Sequence, residues 1–500
     1  MASSKPLQLD LAARESEKSN LRGVLAVVIP SVITTSSRAM MDVADFVMIS
    51  TLGHGKAQAA ILPAQMIMFT YIVFGMGIVS MASTFAAQSL GRKRYRECSA
   101  YAWQTLYVSA VLGVVALACV PFLEGLIAYL GHDPEVQAME LAYARIAMLS
   151  AGPSMAAFGL GNFFIGIHRP MVTMWSAIEA NCVNVVVSAV LIFGVIGEPM
   201  GIAGAAWGTL VAVSYRTVRL LLSMNSASMD ATYGSRSTWR PSVARLRNLL
   251  RTGIPTAVQW FSEVIVWAIF VNVLIGKTFG TDHLIATSTA WQYMRIAFMP
   301  TIGLGMALTS LVGKAIGAEI PHEAIRLTRL SVGITLVYMC SLSIVYAVWG
   351  SELIGLFNDK PEIMRIGAQI MMCAAVFQLF DALGINYSSA LRGAGDTFVP
   401  LVFFVISTWL IIIGGGFVAV SFFPEYGSLG PWIAAAGFIS ISGSFLWWRW
   451  HRRAWMKINI FKHDVTDTFG GTGEAVETTV APEETTGTTE PSTTIVLPGQ

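Results

Sequence analysis

Residues 253–276 read GIPTAVQWFSEVIVWAIFVNVLIG, 24 residues with a single ionisable side chain, Glu263. The bilayer hydrocarbon is about 30 Å thick, so roughly 20 mostly apolar residues in a helix cross it. This stretch is a membrane span. Eleven further segments qualify, so the twelve run at approximately 26–50, 58–86, 100–120, 140–164, 171–196, 202–223, 253–276, 284–312, 330–349, 364–388, 398–420 and 431–449. Composition agrees: 54% of residues are hydrophobic and 12% charged, against about 25% charged in soluble domains. A soluble chain of this size would lack the polar side chains to cover its surface.

Charge orients the spans. Loops after even-numbered spans read RKRYRE (92–97), SRSTWRPSVARLRNLLR (235–251) and EIPHEAIRLTR (319–329), and the last span ends in RWHRR (449–453). Loops after odd-numbered spans, such as 121–135 and 351–362, are neutral or acidic. The positive-inside rule places the basic loops and both termini in the cytoplasm. A plasma-membrane protein, the inner membrane in a bacterium, is expected. Residues 1–20 are polar, with no apolar core of a signal peptide, so the first span serves as its own insertion signal. The tail at 461–500 is rich in Thr, Glu, Gly and Pro and is expected to be disordered. A net charge of +2 gives no reason to expect nucleic acid as a partner. The five cysteines form no C-x-x-C pair and read as small apolar residues.

The chain repeats itself. Ile29-Pro30 matches Ile254-Pro255 at an offset of 225, Gly77 and Gly91 match Gly303 and Gly317 at 226, and Asn162 matches Asn386 at 224. The expected fold is therefore an all-α integral membrane protein of twelve transmembrane helices. They form two six-helix lobes related by a pseudo-two-fold axis along the membrane normal. The lobes are 21–225 and 251–460, joined by a basic cytoplasmic loop at 226–250. Transporters use such halves as two lobes rocking around a central cavity.

Charges inside a membrane are costly and need partners, water or a function. Span one carries Arg38, Asp42 and Asp45; Arg38 and Asp42 are four apart and read as a structural ion pair, leaving Asp45 without a positive neighbour. Span seven carries Gln259, Glu263 and Trp267, and span ten carries Gln378, Asp381, Asn386 and Tyr387. Neither Glu263 nor Asp381 has a cation within a turn of its own helix. Span five adds Glu179, Asn181 and Asn184, and span eight adds Gln292, Tyr293 and Arg295. Arg38 occupies the repeat position of Glu263, so the lobes are electrostatically unlike at that depth. Asn and Gln at helix contacts commonly serve as interhelical glue. No catalytic residue is assigned: His322-Glu323 lacks the second His of a zinc protease, and no phosphate-binding loop of the Walker type exists.

IPSVITTSSRAMMDVADFVMISTLG (29–53), AAQSLGRKRYREC (86–98), GIPTAVQWFSEVIVW (253–267) and FQLFDALGINYSSALRGAGDTFVP (377–400) together resemble multidrug and toxic compound extrusion (MATE) transporters. The NorM-like branch fits best, its three membrane acids finding counterparts in Asp45, Glu263 and Asp381. The resemblance implies a cation-coupled antiporter with V-shaped lobes, exporting organic cations as H⁺ or Na⁺ enters. It implies ion coupling at Asp45, Glu263, Asp381 and Asn184, with Gln259, Trp267, Gln292, Tyr293, Gln378, Asn386 and Tyr387 lining a substrate cavity. No cofactor is expected, nor any metal beyond a possible Na⁺ site. Some members place an Asp one turn after the span-five Asn; here that residue is Ser188. The chain is expected to act as a monomer. Two alternatives stay open, a lipid-linked precursor flippase of the same superfamily and an intramembrane enzyme. A flippase would line its cavity with Arg and Lys.

Overall fold

The computed structural model describes residues 23–37, 40–41, 48, 55–130, 134–195 and 197–461. Arg38, Asp42, Asp45, the tail at 1–20 and all but the first residue of 461–500 lie outside them. Twelve helical stretches follow the twelve expected spans. α1 is Gly23–Ser37; α2 is Gly55–Val79, continued by Met81–Gly91; α3 is Tyr95–Cys119; α4 is Pro134–Leu149 with Ala151–Gly166; α5 is Pro170–Phe193; α6 is Gly201–Met224. α7 is Val243–Ile269, α8 Thr281–Gly317, α9 Pro321–Gly355, α10 Pro361–Ala394, α11 Phe398–Phe422 and α12 Leu429–His451.

Several helices outrun the apolar runs that announced them. α9 spans 35 residues where 20 were expected at 330–349. Backbone hydrogen bonding continues past the hydrocarbon boundary, where hydropathy no longer marks it. α4 bends by 45° at Ser150. Pro153 supplies the cause, since it has no N–H to donate and its ring crowds the carbonyl of Leu149. Pro255 and Pro300 likewise interrupt the ladders of α7 and α8.

The two halves are joined by contacts that obey the repeat. Gly77 of α2 lies against the backbone of Ala257 in α7, and Gly303 of α8 lies against that of Val32 in α1. Those partners are related by the same offsets of 226 and 225 found in the sequence. Gly91 meets the Lys314 carbonyl, and Gly317 meets the Gln88 carbonyl, again symmetry mates. Hydrogen bonds follow suit: Thr84 Oγ1 donates to the Arg392 carbonyl at 3.0 Å, and Ser310 Oγ to the carbonyls of Ile165 at 2.7 Å and Gly166 at 3.3 Å. Gln88 Nε2 also donates to the Gly393 carbonyl at 2.9 Å. Asn162 and Asn386 stand two residues out of this register and are a looser match than the glycines.

Each lobe's first helix leans on the other lobe. Val24, Val27 and Val28 of α1 pack with Leu304, Leu308 and Leu311 of α8, while Leu249 and Ala257 of α7 pack with Ile78, Val79 and Phe85. All these contacts lie toward the face carrying the basic loops. The segment after α12 reinforces them. Trp455 stacks on Trp450 at 4.4 Å, and the chain then crosses to bury Phe461 against Phe85 and Tyr101, under the Arg92 guanidinium at 4.1 Å. Nearby, buried Asp396 accepts from Arg449 Nε at 2.9 Å.

Candidate functional site

Glu263 lies six residues beyond Ala257 on α7, past the point where α2 and α7 touch. The last ring contact between them is Phe74 against Phe261, centroids 6.1 Å apart. Asp381 of α10 comes within electrostatic reach of Glu263. One turn before Asp381, Gln378 is fully buried, and neither its amide nitrogen nor its amide oxygen has a partner among the described residues. Asp381 Oδ2 is also buried, with no partner among the described residues. Buried polar groups left without partners each cost on the order of 1–3 kcal/mol, so this group of side chains is built to receive water or a ligand.

An aromatic wall stands on the side of the site away from the basic face. Trp267, one turn from Glu263, meets Trp291 of α8 at 4.8 Å edge to face. Fully buried Trp432 of α12 meets Phe270 at 5.2 Å and stacks on Phe377 at 6.5 Å. Sequence reading singled out Trp267 alone. Trp291, Trp432, Phe270 and Phe377 come from four helices, and nothing in their spacing announced the cluster.

Arg392 was also missed. It stands second in the LRGAGD run (391–396), where it reads as a loop charge. In the fold its guanidinium lies over Trp260 at 5.5 Å, bonds Ser389 Oγ at 3.0 Å and comes within electrostatic reach of Glu263. Glu263 has no cation within a turn of its own helix; the arginine acting on it belongs to α10.

The remaining sequence candidates separate. Gln259 is half-buried on α7, one turn before Glu263, and Gln292 is exposed on α8. Tyr293 Oη donates to the Leu353 carbonyl of α9 at 2.7 Å, and Tyr346 Oη donates back to the Tyr293 carbonyl at 2.9 Å. Asn386 accepts from Ser331 Oγ at 2.6 Å, which fastens α10 to α9. Tyr387 packs edge-on to His451 at 5.8 Å. These three brace the second lobe. In the first lobe Asn184 is fully buried; its Nδ2 donates to Ser188 Oγ at 3.4 Å, and its Oδ1 has no partner among the described residues. Asn181, rather than Asn184, reaches α1, donating to the Ser37 carbonyl at 2.6 Å. Glu179 is bound to Arg219 Nε at 3.2 Å and Tyr215 Oη at 3.1 Å, which occupies it away from Asn184. Glu140 is fully buried in α4, a carboxyl that the sequence reading passed over. No group of three or more metal-ligating side chains occurs among the described residues.

Comparison with known proteins agrees with this architecture. The profile of the MatE family matches twice, over residues 30–190 and 255–418, one match per lobe. The probable multidrug resistance protein NorM of Rhizobium meliloti is 28% identical over 464 residues, covering 89% of this chain and 96% of that protein. The probable NorM of Thermotoga maritima is 26% identical, covering 81% and 88%. Among solved structures, an outward-facing multidrug resistance MATE transporter aligns with a TM-score of 0.80 at 19% identity, over 87% of this chain and 96% of that one. A superfamily transporter from Pyrococcus furiosus, described as having a binding pocket of reverse polarity, aligns at 0.78 and 20%, over 87% and 96%.

Proposed function

The chain belongs to the MatE family, and on that premise we propose that it is a secondary active exporter of organic cations and other xenobiotics, driven by inward H⁺ or Na⁺. The observation that carries the reading is fully buried Gln378, whose amide atoms have no partner among the described residues, one turn from Asp381, with Glu263 within electrostatic reach. Two acids against one arginine make a site that favours a cation. That balance argues against a phosphate-carrying flippase, which needs a cationic lining. The aromatic wall offers π-faces to a flat or quaternary cation. Carboxylate and amide oxygens are also the donors that a hard cation such as Na⁺ uses, so Glu263, Asp381 and Gln378 would hold it.

Asp45, with Asn184 as hydrogen-bond partner, is our second coupling site, and Arg38 with Asp42 a structural pair beside it. Asp45→Asn is then severe for export and Asp42→Asn mild. The basic face is taken as cytoplasmic, in a plasma membrane, with a monomer as the working unit. The contacts gathered at that face then close the cytoplasmic side.

The test is ethidium efflux from proteoliposomes under an imposed Na⁺ or pH gradient, one at a time. Asp381→Asn should abolish gradient-driven export at matched expression. Export at the wild-type rate would remove the acid pair from the mechanism.

A further inference from the structure

We propose that a groove on the flank of the first lobe binds an anionic phospholipid, with Arg169 and Arg219 on the phosphate and the acyl chains along α6. The groove has a volume of about 340 Å³ and lies between the end of α4, the start of α5, the last turns of α6 and the short helix Ala227–Tyr233. It is separate from the acid pair, which belongs to the second lobe. The side chains beside it point to lipid. Val218 and Leu222 on α6, and Met171 and Trp175 on α5, are all exposed. On a membrane span such a face meets hydrocarbon or the interface, where Trp is favoured.

The charges in the groove do not cancel. Glu179 accepts from Arg219 Nε at 3.2 Å, and Arg219 Nη1 donates to Ser223 Oγ at 2.6 Å. Arg169 has no carboxylate partner among the described residues. Its Nη1 meets the Met229 thioether at 3.2 Å, and its guanidinium lies over the Tyr233 ring at 5.9 Å. Asp230 of the short helix is taken by Arg236, accepting from its backbone N–H at 2.9 Å. Two guanidiniums against one carboxylate leave a net positive charge. A thioether is a weak acceptor, whereas the planar fork of Arg fits phosphate oxygens two at a time. A phosphate at Arg169 therefore displaces little and neutralises the excess.

The second lobe shows that the fold does not need these charges. At the offset of 226, Val172 and Arg219 correspond to Phe398 and Phe445. Both phenylalanines line an apolar groove between α11 and α12, where Phe445 stacks on Phe403 at 3.7 Å. The same place in the repeat is packed by rings in one lobe and lined by arginines in the other.

Native mass spectrometry of the full chain in detergent, titrated with dioleoyl phosphatidylglycerol or dioleoyl phosphatidylcholine, tests this through the first lipid bound. Wild type should hold the glycerol lipid about 10-fold more tightly than the choline lipid, the worth of one charge-assisted hydrogen bond. Arg169→Gln should lose that preference. Glu179→Gln frees Arg219 and leaves Arg169 in place, so it should tighten binding of the glycerol lipid; it carries the test should Arg169→Gln fail to accumulate. Equal affinity for the two lipids in wild type would overturn the proposal. Unchanged preference in Arg169→Gln, or unchanged binding in Glu179→Gln, would do the same. If inorganic phosphate stabilises the lipid-free protein through Arg169 while neither lipid is preferred, the groove takes a free anion and the lipid assignment falls.

Discussion

Gly91 of α2 and Gly317 of α8 face each other across the pseudo-two-fold axis, each so close to the other helix that a side chain would strike backbone. Lys314 and Gln88 supply the struck carbonyls. Neither glycine is demanded by its own helix, where Gly costs about 1 kcal/mol relative to Ala. The contact between lobes demands them. Gly91→Ala and Gly317→Ala should therefore cost about 1–3 kcal/mol through overpacking and raise hydrogen exchange at residues 84–91. Gly333→Ala in α9, where a Cβ meets nothing within 4 Å, is the matched control and should be neutral or mildly stabilising. Equal behaviour of all three would show that the close approach is not limiting.

Asp396 and Arg449 form an ion pair in which the carboxylate is almost wholly buried and the guanidinium 19% exposed. Removing one partner strands the other charge, at a cost of roughly 3 kcal/mol. Asp396→Asn should lower the thermal midpoint in detergent by several degrees. An unchanged midpoint would mean that water already serves the arginine.

His168 sits in the turn between α4 and α5, with its Nε2 buried and without a partner among the described residues. Burial first, then the nearby Lys314, push its pKa down to about 4, while the Ser310 backbone opposes them. The folded state thus binds fewer protons than the unfolded one between about pH 4 and 6.5. Stability from this group is full above 6.5 and is lost as pH falls toward 4, by an amount on the order of 3 kcal/mol. Unfolding measured across that window should be steeper for wild type than for His168→Gln. Parallel curves would exclude the histidine.

Phe461 closes the described chain, packed on Phe85 and Tyr101 of the first lobe although it follows the last helix of the second. Phe461→Ala should cost about 3 kcal/mol as a large core truncation. It should also raise exchange around Tyr101. If exchange stayed at wild-type levels, the crossing would carry no stability.

The sequence by itself determined the helical class, the number of spans and the duplication. Hydrocarbon thickness and backbone hydrogen bonding admit few other readings of twelve apolar runs. It also singled out Glu263, Asp381 and Gln378, because ionisable and amide groups stand out against an apolar background. The repeated glycines were legible as a repeat, but that they are the contact between lobes emerged only when α2 met α7 and α8. Tertiary structure alone decided partnership. Trp432 and Phe377 belong to different helices, and Glu179 turned out to be held by Arg219. Periodicity reports which face of a helix is apolar; which polar groups meet across two helices depends on their packing, and only the fold fixes that.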